Sequence, residues 1–392
     1  MQNKIQQNIW KMYFIKATRM FLLIMPIVVL FFQDNGLSMT QIFLLNSIFS
    51  ISIVLFEIPS GYFSDVMGRK KCLIIATILW TLWILGHSLS YWFWWFMFAE
   101  IIMALSLWFF SWTDSAIIYD TLLSNWKEGE YKKIEWRMEA TWNFSEAIAW
   151  IIGGLLATIS LRTPFYVETI LSIPAIFIVI SIIEPPIEKN KNKDGPIKNI
   201  SKIVRYSLHW NKEIKRLIFY FWFFSASTLT FVWLVQPYFN LVWLPLKYFG
   251  FAWAILNASV WFFALQAHKF ESFFWRKKSL ISLILLVFIW YILLSIFQSI
   301  WAILFMFLFY FARWIGRPII KDYINKIISS KIRATVLSIQ WLVWRLFFAI
   351  ISPFIWWIMD IYTLQYAMIW AWIVFLTFSV ICLIFMRRHR LL

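Results

Sequence analysis

Apolar runs of about 20 residues, each long enough to cross the hydrocarbon core of a bilayer, recur along nearly the whole chain with short polar breaks between them. They predict spans over residues 12–32, 38–62, 72–91, 92–120, 137–159 and 164–183, and then over 217–240, 248–268, 279–297, 300–322, 334–359 and 364–386. One long polar stretch, 184–216, contains Pro185-Pro186 and many lysines and divides these spans six and six. The pattern predicts an all-α membrane protein of twelve transmembrane helices in two six-helix halves, 1–183 and 217–392, joined by a cytoplasmic linker over 184–216. No cleavage pattern follows the first run, so it is expected to remain a span.

Composition agrees with that pattern: 62% of the residues are hydrophobic and 14% charged, against roughly a quarter charged in a soluble domain. The net charge of +17 would suit nucleic acid, but the basic residues fall on alternate loops. Arg69-Lys70-Lys71, Lys132-Lys133, the lysine-rich stretch 189–216, Arg276-Lys277-Lys278, Lys331 with Arg333, and Arg387-Arg388 with Arg390 share one side; the other side holds Arg162 and Lys247. A basic excess on one side marks the cytoplasmic loops, so both termini are expected in the cytoplasm and the chain in the cytoplasmic (inner) membrane. No aromatic and basic groove remains for nucleic acid.

The rest of the chemistry is sparse. Cys72 and Cys382 fall at predicted cytoplasmic ends, where thiols stay reduced. His87, His209, His268 and His389 lie on separate segments without metal-ligand spacing, and no G-x-x-x-x-G-K phosphate loop is present. We therefore expect no metal, no cofactor and no enzyme; a membrane-embedded catalyst would need a nucleophile or metal constellation at depth. A channel, the other rival, would carry pore-lining polar repeats.

Between the second and third predicted spans runs Gly61-Tyr62-Phe63-Ser64-Asp65-Val66-Met67-Gly68-Arg69-Lys70-Lys71, and between the eighth and ninth runs Ser272-Phe273-Phe274-Trp275-Arg276-Lys277-Lys278. The two loops match in place and charge, the trace of an internal repeat. The first resembles the signature loop of the major facilitator superfamily, G-x-x-x-D-x-x-G-R-[RK], with every defining position filled. Glycine permits a tight turn close to a neighbouring backbone, and Asp65 can form a charge latch with Arg69 and Lys70. The resemblance implies a secondary transporter of small solutes, with Gly61, Asp65, Gly68, Arg69 and Lys70 as a latch that holds the outward-facing state; Asp120, at the end of the fourth span, reads as a structural partner for Arg69. The plainer alternative makes the basic residues topology signals alone.

An ionisable side chain within a span costs about 2.5–3.5 kcal/mol on insertion scales, which makes each one a functional candidate. Arg19, Glu57, Glu100, Asp114, Glu146, Arg313, Arg317 and Arg345 lie at such positions. The resemblance implies that spans one, four, seven and ten line the pathway, which favours Arg19, Glu100, Asp114 and Arg313 as substrate or proton contacts. Glu146 and Arg345 are further candidates, Arg345 pairing with Glu146 or with an acidic latch residue. Arg19 with Lys16 equally fits snorkelling to the inner interface, and Glu57 fits the latch better than the pathway. Asp322 reads as the counterpart of Asp120. Gln236-Pro237-Tyr238 is either a polar gate or a simple bend.

A proton-coupled carrier is expected, with Asp114 or Glu100 holding the proton. Ala149-Trp150-Ile151-Ile152-Gly153-Gly154 is similar to the antiporter motif G-P-x-x-G-G but lacks its proline. Efflux of a small amphiphile is favoured by the aromatic-rich spans, with nutrient uptake as the alternative. The expected partners are a small-molecule substrate, membrane lipid and a coupling ion, with the chain acting as a monomer.

Glycine and tryptophan are reversed in abundance: 10 Gly against 28 Trp, where glycine averages about 7% of residues and close packing of membrane helices favours small side chains. Trp126 and Trp136 sit in a charged loop, Trp275 occupies the place of a glycine in the repeated loop, and Ser111-Trp112-Thr113-Asp114-Ser115 resembles S-G-T-D-S of some family members. We expect many of these tryptophans to be UGA codons that the source genome reads as glycine, the alternative being a protein that is truly rich in tryptophan.

Overall fold

The computed structural model describes residues 5–57, 67–111, 113–185, 212–328 and 333–387. Among them there is no strand; the chain is a succession of helices. In order these are α1 (Asn8–Met20), α2 (Val28–Asp34), α3 (Met39–Glu57), α4 (Arg69–Leu89), α5 (Phe93–Phe110), α6 (Thr113–Leu123), α7 (Tyr131–Leu156), α8 (Thr163–Ile180), α9 (Lys212–Leu241), α10 (Phe249–Ile296), α11 (Met306–Ile327), α12 (Arg333–Ile361) and α13 (Leu364–Arg387). Nine helical stretches among the described residues are long and apolar enough to cross a membrane.

Three boundaries differ from the expected ones, each for a local reason. The first predicted span is broken into α1 and α2 by residues 21–27. Pro26 has no N–H to continue the ladder and disfavours helical geometry at Met25. The fourth is interrupted after Phe110, where Ser111 leaves helical geometry with ψ at 136°, and α6 starts afresh just before Asp114. The eighth and ninth run together as α10, through the expected loop 272–278. No glycine or proline occurs from Phe251 to Ile296; Trp275 holds the position where the first loop has Gly68, so nothing local stops the helix.

The helices form two compact units. One comprises Met1–Leu37, Ile48–Gly195 and Leu246–Phe251; the other comprises Ser38–Ser47, Pro196–Pro245 and Ala252–Leu392. In the first unit Met12 and Ile15 of α1 pack with Leu73 and Ala76 of α4, Phe110 of α5, Ile117 and Leu122 of α6 and Met138 of α7. In a bilayer such contacts gain little from the hydrophobic effect, so fit and close approach carry the association. Gly153 supplies the closest approach, since a Cβ there would lie 1.9 Å from the Leu23 carbonyl oxygen. In the second unit Phe231, Trp290, Tyr291 and Phe309 form an aromatic cluster. There Phe43 of α3 stacks on Trp356 of α12 at 3.9 Å.

Three helix ends close in the same way. After α2, Gly36 N–H donates to Gln33 O and Leu37 N–H to Phe32 O; after α6, Trp126 donates to Leu123 O and Lys127 to Leu122 O; after α9, Trp243 donates to Asn240 O and Leu244 to Phe239 O. This paired pattern needs a left-handed residue at its centre, normally glycine. Gly36 has φ +80°, whereas Trp126 and Trp243 have φ +59° and +56° and are the only described non-glycine residues with positive φ. Elsewhere the buried indole N–H groups of Trp80, Trp83, Trp150, Trp222, Trp290, Trp356 and Trp372 have no hydrogen-bond partner, each a cost of about 1–3 kcal/mol.

Candidate functional site

Charges on three helices converge inside the first unit. Lys16 and Arg19 are three residues apart on α1 and share a face. Lys16 is 2% exposed, and its Nζ lies 3.2 Å from Glu139 Oε1, 3.7 Å from Asp114 Oδ2 and 4.0 Å from Glu135 Oε1. One cation thus faces three carboxylates. Asp114 stands in the first turn of α6, where free N–H groups favour an anion, because the helix restarts there.

Arg19 lies deeper and is also buried. Its guanidinium sits between the rings of Trp80 and Phe110, at 4.4 and 4.3 Å. Nη2 donates to Ser106 Oγ at 2.9 Å and Nη1 to Ala76 O at 3.4 Å. Among the described residues no carboxylate is within ion-pair distance of it, and Nε has no partner. A cation held by rings and neutral oxygens, with one N–H unsatisfied, keeps capacity for an anionic group. Glu146 lies further along α7, hydrogen-bonded by Trp142.

At the signature-loop end Gly68 precedes α4 with φ +90°, a conformation glycine adopts without strain. Arg69 pairs with Asp120, and its Nη1 donates to Ala116 O at 2.7 Å. The backbone N–H groups of Arg69 and Lys70 donate to the two oxygens of Glu184 at 2.7 and 2.8 Å, so this carboxylate caps α4. Gly61 and Asp65 lie outside the described residues, as does the side chain of Glu57.

At the opposite end Glu100 of α5 meets His87 of α4, Oε1 to Nε2, at 3.2 Å. Arg162, ahead of α8, donates to Asn35 Oδ1, to Ser88 O at 2.9 Å and to Ser90 O at 2.7 Å, with Tyr91 stacked 3.6 Å away. Between the two ends Glu168 of α8, 3% exposed, faces the break between α1 and α2.

Among the described residues the second unit has fewer charges at depth. Arg313 of α11 donates to Thr228 Oγ1 of α9 at 3.0 Å. Arg345 of α12 lies over the rings of Trp341 and Trp344, at 4.2 and 5.4 Å. Asp322 pairs with Lys326 of its own helix at 2.5 Å; the side chains of Arg276 and Arg317 lie outside the described residues. Pro237 is inside α9, and Tyr238 O–H donates to Phe297 O. Asp360 at the end of α12 caps α3, accepting from the N–H groups of Met39 and Thr40, each at 2.8 Å.

Thus α1, α6 and α7 bring Lys16, Asp114, Glu135 and Glu139 together, while Arg19, Glu100 and Glu146 have other partners. Glu135, Glu139, Glu168, Glu184 and Asp360 were not singled out from the sequence, and Arg162 was read there only as an outer-loop charge. Glu168 lies within a predicted span just as Glu100 does, whereas the capping roles of Glu184 and Asp360 have no local signal.

Repeated spanning helices with ionised side chains held at depth define a multi-pass α-helical membrane protein. The chain belongs to the Major Facilitator Superfamily, whose family model matches residues 10–353. It is 24% identical over 200 residues to the quinolone resistance protein NorA of Staphylococcus aureus, a match covering 50% of this chain and 49% of that protein. For the strain MRSA252 protein of that name the figures are 26% over 168 residues, 42% and 41%. These matches span about half the length of the curated relatives.

Solved structures share the fold along nearly the whole chain. The nucleoside transporter NupG, as a point mutant, has a TM-score of 0.79 at 14% identity, covering 99% of this chain and 100% of its own. A bacterial homologue of the human lysosomal transporter Spinster gives 0.71 at 16%, covering 98% and 95%. A D-xylose-proton symporter gives 0.67 at 14%, covering 98% and 96%.

Proposed function

We propose that this protein is a secondary active transporter that moves a small solute across the cytoplasmic membrane by alternating access, driven by protons. The observation that carries the reading is the buried Lys16 among Asp114, Glu135 and Glu139. Such a cluster around a buried cation serves stability poorly and suits a group that changes charge during a cycle. Protonating Asp114 removes one partner of Lys16, so that the cation interacts differently in the two protonation states. A conformation that favours one state then follows the proton gradient.

Efflux is the favoured direction. The half-length similarity to a quinolone resistance protein supports it, as do the aromatic walls around Arg19, which suit a flat amphiphile. Both termini lie in the cytoplasm, on the side of the basic loops. The two six-helix halves 1–183 and 217–392 rock about the linker 184–216, and the latch of Gly61, Asp65, Gly68, Arg69 and Lys70 closes the cytoplasmic side. The transporter works as a monomer in lipid, without cofactor or enzymatic activity.

Proteoliposomes with an imposed pH gradient test this, with a fluorescent quinolone as solute. Gradient-driven movement is expected, reduced to background by Asp114→Asn. Movement indifferent to the gradient would refute proton coupling, and proton-driven accumulation of a sugar or nucleoside in the opposite sense would replace efflux by uptake.

A further inference from the structure

Breaking a helix inside a bilayer frees backbone N–H groups that lipid cannot satisfy. In the first unit the break between α1 and α2 is met by a side chain 144 residues away: Glu168 Oε2 accepts from Ile24 N–H at 3.3 Å, and Leu23 N–H also faces the carboxylate. Its other oxygen, Oε1, is buried with no hydrogen-bond partner. The same turn is pressed onto α7 at Gly153, with no room for a methyl group.

Among the described residues no cation pairs with Glu168. Of the charged groups on the helices packed around it, Lys11 of α1 donates to Ser181 O, Lys16 is held by the acidic cluster and Arg19 by Ser106 and Ala76. On α7, Glu135 and Glu139 face Lys16 and Glu146 meets Trp142. On α4, Arg69 pairs with Asp120, and His87 pairs with Glu100 while stacking on Phe165, one turn before Glu168. Among the described residues no Lys, Arg or His nitrogen lies within 4.0 Å of Glu168.

We propose that Glu168 is a proton-binding site that controls the break in the first span. As a carboxylate it holds the free N–H groups of Leu23 and Ile24 with charge-assisted bonds. When it takes a proton these bonds weaken, and the turn can rearrange. The proposal rests on proton-driven transport and assigns one of its protons to a carboxylate outside the Lys16 cluster.

Labelling by dicyclohexylcarbodiimide, which attacks protonated carboxyl groups in apolar surroundings, tests it on the unaltered protein in nanodiscs, followed by peptide mass mapping. Modification of the peptide containing Glu168 should rise at least tenfold as the pH is lowered from alkaline to mildly acidic. No modification at any pH, with other carboxyl groups labelled, would overturn the proposal. In proteoliposomes Glu168→Gln should abolish gradient-driven transport but retain solute exchange without a gradient; unchanged gradient-driven transport would also overturn it. If the unaltered protein ignores the gradient, proton coupling as a whole fails, and the labelling still decides whether Glu168 binds a proton.

A second inference stands on the helix ends. We infer that positions 126 and 243 are glycine in the native protein. Both tryptophans hold the left-handed centre of a closure whose third example carries Gly36. Both are also almost fully exposed, at 84% and 90%, so no packing compensates for the conformation. Mass spectrometry of peptides covering 126 and 243 from the source organism should find glycine at both; tryptophan at either would overturn the inference.

Discussion

The two units bury different chemistry. The first holds Lys16, Arg19, His87 and Glu168 with almost no exposure and places Asp114, Glu135 and Glu100 against them. The second buries Arg313 against Thr228 and separately packs the rings of Tyr310, Phe309 and Trp290 on one another. A unit that stores charge responds to protons, whereas one lined with rings responds to the shape and surface of a solute. The contrast therefore predicts a division of labour, with proton coupling confined to the first unit and solute fit shared between the ring-lined Arg19 and the second unit.

The sharpest way to break that comparison is Lys16→Met. Removing the cation leaves Asp114, Glu135 and Glu139 facing one another. Stability should fall by roughly 3 kcal/mol, near the low end for a broken buried pair because Glu139 is half exposed. Gradient-driven transport should disappear; thermal unfolding in detergent and the proteoliposome assay read the two effects. In the second unit Arg313→Gln should raise the KM for solute by about tenfold, a loss near 1.4 kcal/mol, while leaving the response to the gradient intact. If it uncouples transport from protons instead, the division of labour fails.

Smaller effects sharpen the picture. Trp126→Gly and Trp243→Gly should each stabilise the protein by about 1–2 kcal/mol, the strain of a left-handed residue with a Cβ, measurable as a higher midpoint of thermal unfolding. Glu184→Ala should cost about 1 kcal/mol through the lost cap of α4. Its effect on transport should be slight, because Arg69 keeps Asp120 and Ala116.

Much of this architecture was legible in the sequence because a bilayer imposes a length, and apolar runs such as 164–183 and 364–386 announce themselves by it. Interruptions were harder. Pro26 and Ser111 were visible but lie inside runs apolar enough to read as continuous, and α10 runs on where a charged loop was expected. Lys16 and Asp114 each stood out locally, yet their meeting depends on the packing of α1, α6 and α7. Glu168 was legible by depth alone, but the backbone it holds could not be known before the break in the first span was seen. Glu184 and Asp360 act on N–H groups more than a hundred residues away, a relation that no local pattern encodes.

Arg162 has a practical consequence for anyone attaching a reporter to this molecule. One guanidinium fastens the turn after α2, the end of α4 and the start of α8 through Asn35, Ser88 and Ser90. An epitope or fluorophore inserted at any of these three turns would pull the rivet and blur whatever motion it was meant to report. The exposed turn at Glu128–Glu130, in which no residue is buried, is the place where an insertion should be silent.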